Sequence, residues 1–110
     1  MPPETVVSRP FDYPAASRVR TGTLYESPEA DGSGRFAVVV IHGLFAHRGL
    51  SEIELVCRRL AEDLDVVSVD LRGHGDAPGF FTWGREESRD LADLVSYLHL
   101  LYRGVGVLGF

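Results

Sequence analysis

Cysteine is nearly absent: Cys57 is the only one in 110 residues. That excludes an intrachain disulfide framework and every CxxC redox or zinc motif, and it points to a reducing compartment, so a cytoplasmic location is expected. Long hydrophobic runs are missing as well. The longest, Phe36 to Ile41, is far short of the about 20 residues that a membrane span needs. The opening MPPETVVSRPFDYP has neither the basic start nor the apolar core of a secretory signal. No membrane partner is expected. Nor is there a surplus of positive charge. Eleven basic residues against 16 acidic ones give a net charge of −5, with the signs interspersed, which disfavours a nucleic-acid partner held by phosphate neutralisation. The sequence also lacks internal repeats, low-complexity tracts and a second-domain linker, and its length suits one small domain or part of one.

What is present alternates between strand and helix patterns. Residues 1–18 hold four of the six prolines and read as an irregular leader with room for a short edge strand. Residues 19–110 form the remaining unit. Val19 to Tyr25 shows a weak period-two pattern, with Val19, Thr21, Thr23 and Tyr25 on one face. Ser27 to Gly34, SPEADGSG, is a hairpin or connecting turn. FAVVVI at 36–41 is apolar, mostly β-branched and without alternation, as expected of a central strand covered on both faces. Ser51 to Leu64 carries apolar residues at spacings of three and four, and Ser51 with Glu54 forms a capping-box pattern, which predicts an amphipathic helix. VVSV at 66–69 predicts a strand that ends at Asp70, and a glycine-rich loop runs from Leu71 to Trp83. A second helix is expected over about 86–102, with His99 as a surface or packing histidine on it. VGVLGF at 105–110 then predicts a further buried strand. The alternation implies an α/β fold with a mostly parallel sheet and flanking helices.

In such sheets ligands bind beyond the carboxyl ends of the strands, which singles out two loops. In the first, His42-Gly43 lets the backbone turn sharply, so that the amides of Leu44 and Phe45 can face a developing oxyanion. The same pair also fits a plain strand-to-helix turn with a hydrogen-bonded structural histidine. In the second, Asp70 and Arg72 with Gly73-His74-Gly75 offer an ion-pair or hydrogen-bond pair between two flexible points, a pattern suited to a rigid loop. Phe45, Phe80, Phe81 and Trp83 could line an apolar site, contact a lid or pack within the loops. His42, His47 and His74 lie near this face, but no H-x-H or helical H-x-x-x-H pair occurs, so no metal and no cofactor is expected.

VVVIHGLFAHRG, VVSVDLRGHGDAPG and VGVLGF, in this order and at these separations, resemble the N-terminal half of an α/β-hydrolase. The resemblance runs from about Val19 to Phe110. It implies an incomplete α/β-hydrolase fold, with His42 and Gly43 at the HG turn and the Leu44 amide as one oxyanion-hole donor. Asp70, Arg72, Gly73, His74 and Gly75 would form the loop after the next strand. Gly109 and Phe110 match the first two positions of the G-x-S-x-G nucleophile elbow. Two positions beyond GHG the family usually has serine, where this chain has Ala77.

By that resemblance the nucleophile is due immediately after Phe110, and the triad acid and histidine later still, so this chain has no catalytic side chain of its own. None of Ser51, Ser68, Ser88 or Ser96 sits in a strand-turn-helix glycine setting. The complete enzyme is expected to hydrolyse small-molecule esters, thioesters or amides, and the 110 residues alone are expected to be inactive. An apolar last strand with one side unpaired is expected to make the chain self-associate. A reading from a different class is a small non-catalytic α/β module that binds an anion or nucleotide at its glycine loops. Against it, neither G-x-G-x-x-G at a strand-helix junction nor G-x-x-x-x-G-K-[ST] is present, and Asp76 stands in the loop.

Overall fold

A computed structural model describes residues 6–15, 18–28 and 35–110. In chain order the elements are β1 (Val7–Ala15), β2 (Arg18–Glu26), β3 (Phe36–Ile41), α1 (Ser51–Leu60), β4 (Asp65–Val69), α2 (Glu87–Leu98) and β5 (Gly104–Gly109). They build one five-stranded sheet in the order β1-β2-β4-β3-β5. β3 pairs in parallel with β4 and with β5, while β1 with β2 and β2 with β4 are antiparallel. The parallel half therefore follows the strand-helix alternation, and the two antiparallel strands extend it on one side.

The leader contains a longer strand than the prolines suggest. Over Val7–Ala15, β1 runs in register with β2 from Val7 opposite Glu26 to Ala15 opposite Arg18. Pro10 and Pro14 are tolerated because β1 lies at the sheet edge, where a missing N–H costs no ladder bond. β2 and β3 are not neighbours, so the Ser27–Gly34 segment joins them as a connection rather than a hairpin. Residues 29–34 of that expected turn lie outside the described residues. On β2, Arg20, Gly22 and Leu24 are buried on one face and Tyr25 on the other, while Val19 and Thr21 are exposed. Gly22 is needed there, because a Cβ would stand 2.6 Å from the Ser68 carbonyl oxygen.

Each face of the sheet carries one helix. Leu94 and Leu98 of α2 pack on Tyr13, Ala15, Leu24, Val39, Val67 and Val69. Ile53, Cys57 and Ala61, from α1 and the residue after it, pack on Val6, Tyr25, Val40 and Val66. Alternate residues of β3 and β4 serve opposite cores, which is why all five residues of β4 are buried and why neither strand alternates in hydropathy. The Cys57 thiol lies fully inside, where burial pushes its pKa up to about 11.

Both helices end earlier than their apolar stripes. Bonds from Glu62 N–H to the Arg59 carbonyl and from Asp63 N–H to the Leu60 carbonyl tighten α1 into a terminal turn. Leu100 N–H to Tyr97 and Leu101 N–H to Leu98 do the same for α2. The capping box does not form: Leu50 is the N-cap, Ser51 is the first helical residue, and no side chain caps the end. His99, the C-cap of α2, is exposed.

Asp65, fully buried, ties the far end of the sheet together. It accepts hydrogen bonds from Ser27 N–H at 2.8 Å, Arg35 Nη1 at 2.9 Å and the Tyr102 hydroxyl at 2.7 Å. Burial, and then the neighbouring carboxylate, push the Tyr102 hydroxyl pKa well up. β5, read from its sequence as buried, is largely exposed. Among the described residues it bonds only to β3, and Val107, Leu108 and Phe110 are open at 57%, 37% and 60%.

No helix among the described residues is long and apolar enough to cross a membrane.

Candidate functional site

The loops after β3 and β4 leave the sheet at the same end, and Phe110, directly after β5, joins them. Phe110 N–H donates to the Ile41 carbonyl at 3.1 Å. A Cβ on Gly43 would approach the Phe110 carbonyl oxygen to 3.3 Å, so the small residue after His42 lets the end of β5 lie against the turn. Ala46 N–H closes that turn on the Gly43 carbonyl at 3.1 Å. Among the described residues neither Leu44 N–H nor Phe45 N–H has an acceptor.

His42 is committed on both ring nitrogens. Nε2 accepts from Leu71 N–H at 3.0 Å, and Nδ1 lies 2.7 Å from the Gly43 carbonyl. The backbone N–H can only donate and the carbonyl can only accept, so the neutral tautomer with its proton on Nδ1 is fixed. Burial holds the His42 pKa below the ordinary imidazole value, against the opposing pull of the Gly43 carbonyl. The side chain thus rivets the turn after β3 to the loop after β4, the structural role left open by the sequence.

Asp70 and Arg72 do not pair with each other. The buried Asp70 carboxylate accepts from Arg48 N–H at 2.7 Å, from Asp76 N–H at 3.0 Å and from the Arg48 guanidinium, which also reaches Thr23 and Asp76. Gly75, at φ +50°, is required by this cage: a Cβ there would stand 2.5 Å from an Asp70 carboxylate oxygen. Arg72 instead forms a two-pronged ion pair with Asp90 of α2, at 2.6 and 2.9 Å. The Asp90 hydrogen bond and charge hold the guanidinium pKa above its usual value. Arg20 of β2 lies 3.7 Å from the same carboxylate and donates to the Pro78 carbonyl at 3.2 Å. Gly73 N–H to the Ala77 carbonyl at 3.2 Å and Ala77 N–H to the His74 carbonyl at 2.9 Å close the GHG turn. Backbone bonds therefore hold the place where a serine hydroxyl is usual.

Sequence reasoning missed Arg48, Arg20, Asp90 and Glu87. Arg48 stands inside the HGLFAHRG stretch without a spacing that marks its role, and the other three stand in no short motif. Glu87, in the first turn of α2, accepts from Thr82 N–H at 2.9 Å, from the Thr82 hydroxyl at 2.8 and 3.0 Å and from Gly84 N–H at 2.7 Å. Burial acts to raise its pKa, and these hydrogen bonds outweigh it, so the carboxyl lies below its ordinary 4.5. A depressed carboxylate contributes stability above its unfolded-state pKa and loses it as the pH falls through the folded value. Unfolding free energy should therefore drop as the pH is lowered below about 4.5. Glu87→Gln should flatten that drop and cost about 1–2 kcal/mol at neutral pH, as urea titrations at neutral and at acid pH would show.

Between the two loops lies a cleft of about 530 Å³, lined by Leu44, Phe45, Ala46, His47, Gly73, His74, Gly75, Phe81 and Trp83, within the usual size of small-molecule sites. His42, His74, Phe81 and Trp83 form a chain of rings with centroids 5.0–5.1 Å apart. Phe81 is half-buried in this loop, whereas Phe80 and Trp83 are exposed. Phe45 (φ +62°) and Trp83 (φ +56°) are the non-glycine residues with left-handed backbone among those described, a conformation that costs about 1–3 kcal/mol each for bulky side chains. No group of three or more His, Cys, Asp or Glu side chains that could hold a metal occurs among the described residues.

No family model and no curated protein sequence matches the chain. Solved structures do. An esterase from Pyrococcus furiosus superposes on all of it with a TM-score of 0.78 at 22% identity, the chain covering 45% of that protein. A lidless α/β serine hydrolase from Xanthomonas campestris matches over 94% of the chain at TM-score 0.77 and 20% identity, with 50% of that protein covered. A thermophilic carboxylesterase cloned from a metagenomic library matches over 94% at TM-score 0.71 and 22% identity, with 36% covered. The chain therefore has the fold of part of an α/β hydrolase, and it spans half or less of the length of these proteins.

Proposed function

We propose that these 110 residues are the N-terminal portion of a serine-type α/β-hydrolase that cleaves esters, thioesters or short amides. The observation that carries this reading is the junction of β5 with the HG turn. Phe110 is bonded to Ile41 and lies against Gly43, and the Leu44 N–H beside it has no acceptor among the described residues. In the complete enzyme a serine following Phe110 would attack the substrate carbonyl, and the Leu44 amide would donate to the oxyanion as charge develops there. Such donors are worth about 3–4 kcal/mol to the transition state. Gly109 and Phe110 would open the nucleophile elbow. The acid and the general-base histidine would come from later in that chain, because His42 has both nitrogens engaged and His74 has its Nδ1 held at 3.0 Å from the Arg72 carbonyl.

On this reading the 110 residues hold the oxyanion side of the site without its attacking group. The test is to read the coding DNA past codon 110 and to assay the longer product. An in-frame S-x-G-G, with activated aryl ester turnover that alanine at that serine abolishes, is the expected result. A stop codon or unrelated sequence there, or turnover by the highly purified 110-residue chain itself, overturns it. The anion- or nucleotide-binding alternative has no observation in its favour. No Arg lines the cleft, and the nearby Arg48 is occupied by Asp70 and Asp76.

A further inference from the structure

Phe45 and Trp83, the two strained non-glycine residues, come from different loops yet line the same cleft, and they leave 89% and 77% of their surface in water. Among the described residues Phe45 has no ring partner, and the ring beside Trp83 is the edge of Phe81. Stability alone would place Gly or Asn at such backbone positions and a polar side chain at such exposed ones. Outliers of this kind concentrate where a ligand is gripped.

The cleft is also graded in polarity. Its ionisable side chains are two imidazoles, His47 and His74. The carboxylates and guanidiniums lie on the far side of His47 and Gly75, in an adjoining cleft of about 460 Å³ that holds Arg48, Arg58, Glu54, Asp70 and Asp76. A charged group entering the aromatic cleft would lose water and find no opposite charge there, whereas an apolar one would cover rings that are now wet.

We infer that Phe45, Phe81 and Trp83 form the specificity surface of this site and that it takes an uncharged aromatic or branched-apolar substrate group. The assignment of that group as part of a scissile ester rests on the hydrolase reading, while its capture does not require the nucleophile. Trp83 is the chain's only tryptophan, so its emission reports occupancy of the cleft directly.

The experiment titrates the 110-residue chain with phenyl butyrate, with butylbenzene and with monophenyl succinate, whose carboxylate is ionised at neutral pH. Both neutral probes should give a saturable one-to-one change in Trp83 emission, and monophenyl succinate should bind at least tenfold more weakly. Phe81→Ala should weaken neutral binding at least tenfold. Phe45→Asn should weaken it at least threefold while raising the melting temperature, because Asn tolerates the left-handed backbone. This second variant alters an exposed side chain, so the question remains decidable if Phe81→Ala fails to fold. Val107→Lys, on the exposed sheet edge, should leave affinity unchanged.

Equal affinity for charged and neutral probes would overturn the assignment. So would unaltered neutral affinity in both aromatic variants, affinity that falls with Val107→Lys, or the lack of any saturable change. Saturable neutral binding together with an inactive longer product would sink the hydrolase reading and leave the aromatic surface standing. Turnover by the longer product without that binding would do the reverse.

Discussion

Replacing Asp70 with alanine should lower the stability of the chain by about 3–5 kcal/mol, because it leaves the half-buried Arg48 guanidinium without its buried partner and orphans the N–H groups of Arg48 and Asp76. At about 4–8 °C per kcal/mol for a domain of this size, the melting temperature should fall by about 12 °C or more. Asp70→Asn keeps an acceptor for one of the two N–H groups and should lose less. Gly75→Ala should approach the Asp70→Ala result by the opposite route, since its methyl group would occupy the space of the carboxylate. Urea or thermal unfolding followed by far-UV circular dichroism measures all three. An unchanged midpoint in Asp70→Ala would mean that the cage contributes nothing to folding.

The second large effect concerns β5. Its outer edge offers unpaired N–H and C=O groups, and Val107, Leu108 and Phe110 stand exposed beside them, a combination that templates strand pairing between molecules. The 110-residue chain is therefore expected to associate at roughly micromolar to millimolar concentrations, where exposed apolar surface and unpaired strand edges become aggregation-prone, and to elute ahead of a 12.1 kDa monomer. Val107→Lys should shift most of the material to the monomer position, because a lysine on an open edge opposes pairing. Size exclusion with light scattering decides the matter. A wild-type chain that elutes as a compact monomer and melts cooperatively would contradict the expectation. Because association would distort unfolding curves, the Asp70 series belongs in the Val107→Lys background.

The parallel half of the fold was legible because β-branched runs and helical stripes are dictated by local chemistry. FAVVVI and VVSV read as strands from their β-branched runs, and the apolar residues at spacings of three and four read as helices. β1 was obscured by its prolines, whose cost depends on whether a strand lies at an edge, a tertiary fact. The Ser51–Glu54 pattern matched a capping box, but the chain enters α1 one residue earlier, through Leu50. The two loops of the site were recognisable from their glycines. Their wiring was not, since Asp70 reaches back 22 residues to Arg48 and Arg72 reaches forward 18 to Asp90, and no spacing rule links such partners.

That wiring limits what can be moved elsewhere. The stretch from Asp70 to Gly79 takes its shape from an imidazole on one connection, a guanidinium further along it, a second guanidinium on a neighbouring strand, and a carboxylate on a helix beyond. Cut out as a peptide, or grafted onto another scaffold, the stretch would lose all four anchors and collapse into an ensemble of conformers. Transplanting the rim of this site therefore means carrying His42, Arg48, Arg20 and Asp90 along with it.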